Sequence, residues 1–147
     1  MSTSPTFSPR ALGETEKALN AILDRRLAGT GLSEHRWITL SLLVMSGGHS
    51  ERDALLTSAA GALKIGAAEA AARLGELVAA QLVQPVDTAA VEITAAGEQL
   101  FESIRGDVVR ITDRLWGDLP ADDLAAAGRV LDTVLARANA ELAESAA

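Results

Sequence analysis

The sequence predicts a mainly α-helical fold in which two short strands interrupt a series of six helices. Two observations support this prediction. Apolar residues recur at helical spacing through most of the 147 residues, in segments bounded by glycine, proline and capping residues. That period is lost only after Gln81, where short apolar runs alternate with polar residues around a turn as far as Ile93. A chain of this length is of the usual size for one domain, so we expect a single domain over residues 1–147.

Helices one and two have clear start signals. Ser8 precedes Pro9 as an N-cap precedes a first-turn proline, and an apolar stripe follows until Gly29 and Gly31. Helix two is predicted to begin at Ser33 and to run almost wholly apolar to Gly47-Gly48. Because no polar face is left on helix two, we expect it to form the buried centre.

Helices three and four are short and separated by a tight turn. Ser50, with Asp53 three residues later, has the spacing of a capping box for helix three, which should end near Leu63. Gly66 then precedes a fourth helix, and the alanine-rich stretch around it has glycine and charged residues only in helix-compatible places. Two short helices joined in this way are typical of a helix-turn-helix.

The two strands would form a β-hairpin, or wing, after helix four, and two longer helices would follow. Thr94 can cap helix five, whose near-heptad apolar stripe spans roughly 30 Å, and Pro120 opens helix six. Helices one, five and six carry more apolar surface than helices two to four and the wing, which together we call the head, could cover. We therefore expect a homodimer in which a second subunit covers these stripes.

Composition limits the classes of function. The formal charge is −7, there is no cysteine, and aromatic side chains are limited to two tryptophans and two phenylalanines. Without cysteine there is no disulfide, no thiolate zinc site and no thiol redox sensor. The sequence contains no stretch of about 18 apolar residues and no signal-peptide pattern, so we expect a soluble cytoplasmic protein without membrane contact.

The chain resembles the multiple-antibiotic-resistance regulator (MarR) family of winged helix-turn-helix proteins over nearly its whole length. The segment Leu32-Ser33-Glu34-His35-Arg36-Trp37-Ile38-Thr39-Leu40 is similar to the opening of that family's second helix. Gln81-Leu82-Val83, followed by Ile93-Thr94-Ala95-Ala96-Gly97, is similar to its wing entry and to the start of its fifth helix. The resemblance implies dimerisation helices at about 9–31 and 95–145 and a winged helix-turn-helix at about 33–94.

The resemblance also implies that helix four enters the major groove of double-stranded DNA and that the wing inserts an arginine into the minor groove. Here the wing has Asp87 but no arginine or lysine and is several residues short, while helix four has one cation. From residue 51 to residue 93, three cations stand against six carboxylates, a net formal charge of −3. The candidate DNA-binding residues are Arg52, Lys64, Ala68, Glu69, Ala72 and Arg73, with Arg25, Arg26 and Arg36 as further cations nearby.

The same resemblance places a ligand cavity between helices one, two and five. Its candidate lining is Ile22, His35, Trp37, Leu40, Phe101, Arg105 and Ile111, and it would take a small apolar or aromatic ligand. For both tryptophans, packing in the core is the competing interpretation. His49, in its glycine turn, is expected in a loop, and Asp122-Asp123 to interact with a helix dipole.

Two functions follow from these patterns. One is a ligand-responsive transcriptional regulator that binds DNA as a homodimer. The alternative is a scaffold that has lost DNA binding and binds, or chemically processes, a small apolar molecule. No nucleotide-binding loop, nucleophile elbow or zinc-binding pair of histidines is present, so we expect no metal and no cofactor. His35 is a candidate acid/base group only under the enzyme alternative.

Overall fold

A computed structural model describes residues 4–145. Six helices and three strands follow in the order α1 (Pro9–Leu27), α2 (Glu34–Met45), β1 (His49–Glu51), α3 (Arg52–Leu63), α4 (Ala67–Ala79), β2 (Val83–Pro85), β3 (Ala90–Ile93), α5 (Ala95–Trp116) and α6 (Ala121–Ser145). The prediction of six helices and a β-hairpin is confirmed. None of the helices in the described range is long and apolar enough to cross a membrane.

The helix starts follow the local signals with one exception. The hydroxyl of Ser8 accepts the backbone N–H of Ala11, and that of Ser33 accepts the backbone N–H of Arg36. The predicted capping box at Ser50 is wrong, because Ser50 lies in β1 opposite Val91 and its hydroxyl donates to the Glu51 carbonyl. Helix α3 therefore begins at Arg52 without a side-chain cap.

The sheet has one more strand than the sequence predicts. Strand β3 lies in the centre, with β1 and β2 antiparallel on either side of it. The prediction of a loop at His49 is therefore corrected, since His49 is in β1 and pairs in register with Glu92. The additional strand ties the end of α2 to the wing.

The chain divides after Val108 into two compact units. In the first unit, the core takes buried side chains from α1 to α5 and from the sheet, and α2 contributes Thr39, Leu40 and Leu43 to it. This confirms the central position of α2, except at Met45, which is 80% exposed at its end.

The second unit comprises the last two turns of α5, the connection through Gly117 and Pro120, and α6. Most of its large apolar side chains are exposed in the single chain: Val109, Leu115, Trp116, Leu119, Val130, Leu131, Val134, Leu135 and Leu142. Trp116 is 40% exposed, so the core interpretation does not hold for it.

Candidate functional site

Helix α4 packs on the first unit through one face and leaves the other face exposed. Ala70, Leu74 and Leu77 are buried on the packed face. The exposed face carries only small residues and one carboxylate: Ala67, Ala68, Glu69, Ala72, Gly75 and Ala79. Alanine methyls can contact the methyl group of thymine, but they cannot form the paired hydrogen bonds that read guanine or adenine.

Arg73, the single cation of α4, is paired within the protein. Its Nε lies 2.9 Å from Glu76 Oε1, and Arg36 Nε from α2 lies 3.9 Å from the same oxygen. Arg73 Nε and Glu76 Oε1 are both shielded from solvent and meet as an ion pair rather than as an aligned hydrogen bond. The charge that a phosphate would need on this helix is therefore largely compensated.

The other candidate DNA-binding cations differ in whether their side chains already have a partner within the protein. Lys64 has a left-handed backbone (φ 58°) after α3, and its ammonium donates to the Gly61 carbonyl at 2.7 Å. Arg52 is exposed at the start of α3 and has no ion-pair partner within residues 4–145. Arg26 pairs with Asp107 of α5, whereas Arg25 is exposed at the end of α1. Arg52 is thus the candidate cation of the helix-turn-helix whose side chain has neither an ion-pair nor a hydrogen-bond partner among the described residues.

The turn of the wing is stabilised by the carboxylate of Asp87. Asp87 Oδ1 accepts the backbone N–H groups of Ala89 and Ala90 at 2.7 and 2.9 Å. Across the strands, the Gln84 amide donates to Glu92 Oε1 at 2.7 Å. These bonds stabilise a short hairpin that carries negative charge and no cation.

The predicted ligand-binding residues differ in burial and in their neighbours. Trp37 stacks on Phe101 with ring centroids 5.0 Å apart and an interplanar angle of 20°, which joins α2 to α5. Leu40 is fully buried in the core and presents no accessible surface to a ligand. Ile22 is half-buried on α1, and Ile111 is half-buried on the part of α5 that belongs to the second unit.

The two predicted polar anchors have other partners. His35 Nδ1 lies 3.7 Å from Glu69 Oε1, so the imidazole faces the first turn of α4. Arg105 donates to Glu102 on its own helix at 3.2–3.3 Å. The structure thus brings Trp37 and Phe101 together but directs both anchors toward carboxylates.

A cleft that the sequence did not indicate lies beside Phe101. We call it the α2–α5 cleft; it has a volume of about 340 Å³ and is lined by Val44, Gly47, Gly48, Ile93, Glu98, Phe101 and Glu102. The Gly47-Gly48 pair is visible in the sequence as the stop of a helix, but its position opposite α5 depends on the long-range pairing of β1 with β3.

No family model matches the sequence, and no curated protein is similar to it. Solved structures are similar in fold. A MarR family transcriptional regulator from Silicibacter pomeroyi has a TM-score of 0.75 at 19% identity, with 88% of each chain covered. NadR in complex with 4-hydroxyphenylacetate has a TM-score of 0.70 at 20% identity, over 92% of this chain and 98% of that one.

A mutant MarR from E. coli complexed with operator DNA also matches, with a TM-score of 0.68 at 18% identity over 86% of this chain and 91% of that one. The similarity extends over most of each chain. The protein has the winged helix-turn-helix fold of the MarR transcriptional regulators.

Proposed function

We propose that the protein is a ligand-responsive transcriptional regulator that binds double-stranded DNA as a homodimer. The observation that carries this proposal is the exposed face of α4, which no other part of the head covers, in a fold that is seen with operator DNA in another protein. Fold similarity alone does not establish function, so DNA binding must be argued from the residues that the head presents to DNA.

Dimerisation is supported by the exposed apolar side chains of the second unit. Leu131, Leu135 and Leu142 recur at helical spacing on α6 and are 47–55% exposed. A stripe of this kind is costly in water and is typical of a helix that packs against another subunit. We infer that a second copy of the chain covers it.

Binding to DNA would rest on few charges. Arg52 and Lys64, both exposed, would contact phosphates together with backbone amides, while Ala68 and Ala72 would face the bases. With one or two phosphate contacts per head, the slope of log affinity against log salt should be shallow, about −2 to −4 per dimer. Affinity would therefore be modest at physiological salt.

Ligand response would act through the contact between Trp37 and Phe101. A flat apolar molecule that displaces this stack would shift α2, which packs on α4, relative to the start of α5. In a dimer, such a shift would change the distance between the two recognition helices, which must match half-sites about 34 Å apart. The 4-hydroxyphenylacetate bound to NadR supports the choice of a small aromatic ligand.

The ion pair of Arg73 with Glu76 favours the alternative function, a scaffold that binds a small molecule without DNA. Under that alternative, His35 is the acid/base candidate, and Glu69 at 3.7 Å would orient its ring. Cytoplasmic localisation is part of both proposals.

Selection of genomic fragments by the purified protein, followed by mobility-shift assays across a salt series, tests the choice. We expect saturable, sequence-specific binding that Arg52→Ala weakens and Arg129→Ala leaves unchanged. Arg129 is a suitable control because it removes the same charge from an exposed site on α6. No binding at low salt would refute the regulator and leave the scaffold.

A further inference from the structure

We propose that the α2–α5 cleft is a second ligand site, which shares Phe101 but not Trp37 with the stack, and that it takes a compact apolar molecule carrying a protonated amine. The cleft lies wholly within the first unit. Its volume of about 340 Å³ is within the range of small-molecule sites. Its walls and its rim differ in chemistry, and together they define the ligand.

The walls of the cleft are apolar and held in place. Val44, Ile93 and the edge of Phe101 supply the apolar surface, and Phe101 is itself fixed by its stack on Trp37. The Gly48 N–H donates to the Leu43 carbonyl at 2.9 Å, and the Gly48 carbonyl accepts the Ile93 N–H at 2.8 Å. A cleft with bonded walls does not have to form before it binds, which lowers the cost of association.

Glycine is needed at position 48 for this geometry. Its φ is +85°, and a Cβ there would lie 3.1 Å from Ile93 Cγ2. The wall between α2 and β3 is therefore close-packed and cannot easily collapse into the cleft.

The rim of the cleft is anionic. Glu98 and Glu102 are four residues apart on α5, so both carboxylates lie on the same side of that helix. Two like charges at this spacing destabilise a helix slightly unless a cation lies between them. Arg105 partly compensates Glu102, whereas Glu98 has no ion-pair partner among the described residues.

Charge complementarity therefore selects the head group of the ligand. An ammonium group over the rim would be attracted by both carboxylates and by the overall charge of −7, while a carboxylate would be repelled. The ammonium ligand proposed for the cleft has the opposite charge to the 4-hydroxyphenylacetate bound to NadR. The cleft and the Trp37 stack would therefore take different ligands.

Three probes with one apolar body, a phenyl ring on four methylenes, and different head groups test the proposal: 4-phenylbutylammonium, 4-phenylbutan-1-ol and 5-phenylpentanoate. Calorimetry on the full-length protein without DNA should show saturable binding of the amine, with the carboxylate weaker by about tenfold. The amide resonances of Gly47 and Gly48 should shift on titration, since both residues line the cleft.

Variants at the rim should change the amine affinity in opposite directions. Glu98→Gln should weaken it by about twofold to fivefold, the range of a solvent-exposed charge pair, and leave the alcohol unaffected. Arg105→Gln should strengthen it, because Glu102 loses its competing cation. Glu141→Gln, which removes the same charge from an exposed site on α6, should change neither affinity.

Equal affinities for the three head groups would overturn the proposed class of ligand. Resonance shifts that spare Gly47 and Gly48 would overturn the site, and so would a cleft that is already occupied by another segment in the dimer. Because DNA is absent from these measurements, none of the outcomes depends on whether the protein regulates transcription.

Discussion

Gly97, in the first turn of α5, is the glycine of the first unit at which an added methyl group would be most crowded. A Cβ at this position would lie 2.8 Å from Ile93 Cγ1 and 3.1 Å from the Leu82 carbonyl carbon, and closer still to the Leu82 carbonyl oxygen. That carbonyl cannot turn away, because it accepts the backbone N–H of Thr94 at 3.0 Å. We therefore expect Gly97→Ala to push α5 away from the β-hairpin.

Two opposing effects set the size of the change. Alanine in place of glycine favours a helix by up to about 1 kcal/mol. Overpacking of a buried site costs about 1–3 kcal/mol, and here the obstacle is backbone rather than a flexible side chain. We expect a net loss of about 1–2 kcal/mol in the free energy of unfolding, a decrease in Tm of roughly 2–4 °C for each kcal/mol in a chain of this length.

Gly61→Ala is the matched control, since Gly61 lies inside α3 of the same unit and a Cβ there meets nothing within 4 Å. It should stabilise the protein by about 0.5–1 kcal/mol. Urea unfolding of both variants, at one protein concentration, shows whether each substitution raises or lowers the free energy of unfolding. A Gly97→Ala protein as stable as Gly61→Ala would refute the packing at the start of α5.

Three further predictions concern assembly, DNA and ligand. Light scattering at micromolar concentration should give a dimer of the 15.2 kDa chain. Leu135→Glu should convert it to a monomer, whereas Thr133→Glu, on the opposite face of α6, should leave it dimeric. A monomeric wild type would refute the dimer. Glu76→Gln should strengthen DNA binding by about twofold to fivefold, because Arg73 is released, whereas an unchanged affinity would show that Arg73 does not reach DNA. Titration of 4-hydroxyphenylacetate should quench tryptophan fluorescence in the wild type but bind more weakly to Trp37→Phe, and equal affinity would exclude a site at the stack. If the protein turns over a ligand and His35→Ala abolishes that turnover, the enzyme alternative would be favoured.

The elements that local sequence defines were predicted well. Helix periods and the caps at Ser8, Ser33 and Thr94 depend on residues within one turn, and the structure has helices at those places. The pair of Arg73 with Glu76 was also within reach, since residues three apart are neighbours on a helix.

The features that the sequence did not reveal depend on distant partners. Strand β1 consists of three polar residues, and it pairs with β3, some forty positions later in the chain. That pairing also removed Ser50 from its expected role as a cap. The stack of Trp37 on Phe101 and the α2–α5 cleft likewise require the relative positions of α2 and α5, which no local pattern contains.

The shortage of uncompensated positive charge on the head has a consequence for regulation if the protein binds DNA. With Arg73 compensated and the wing anionic, base discrimination would rest on the methyl groups of Ala68 and Ala72 and on DNA shape rather than on paired hydrogen bonds. A complex of low affinity dissociates after a small further loss of binding free energy. A ligand that favours the free conformation by only about 1.4 kcal/mol would then lower the affinity tenfold, which is enough to release the DNA at physiological salt.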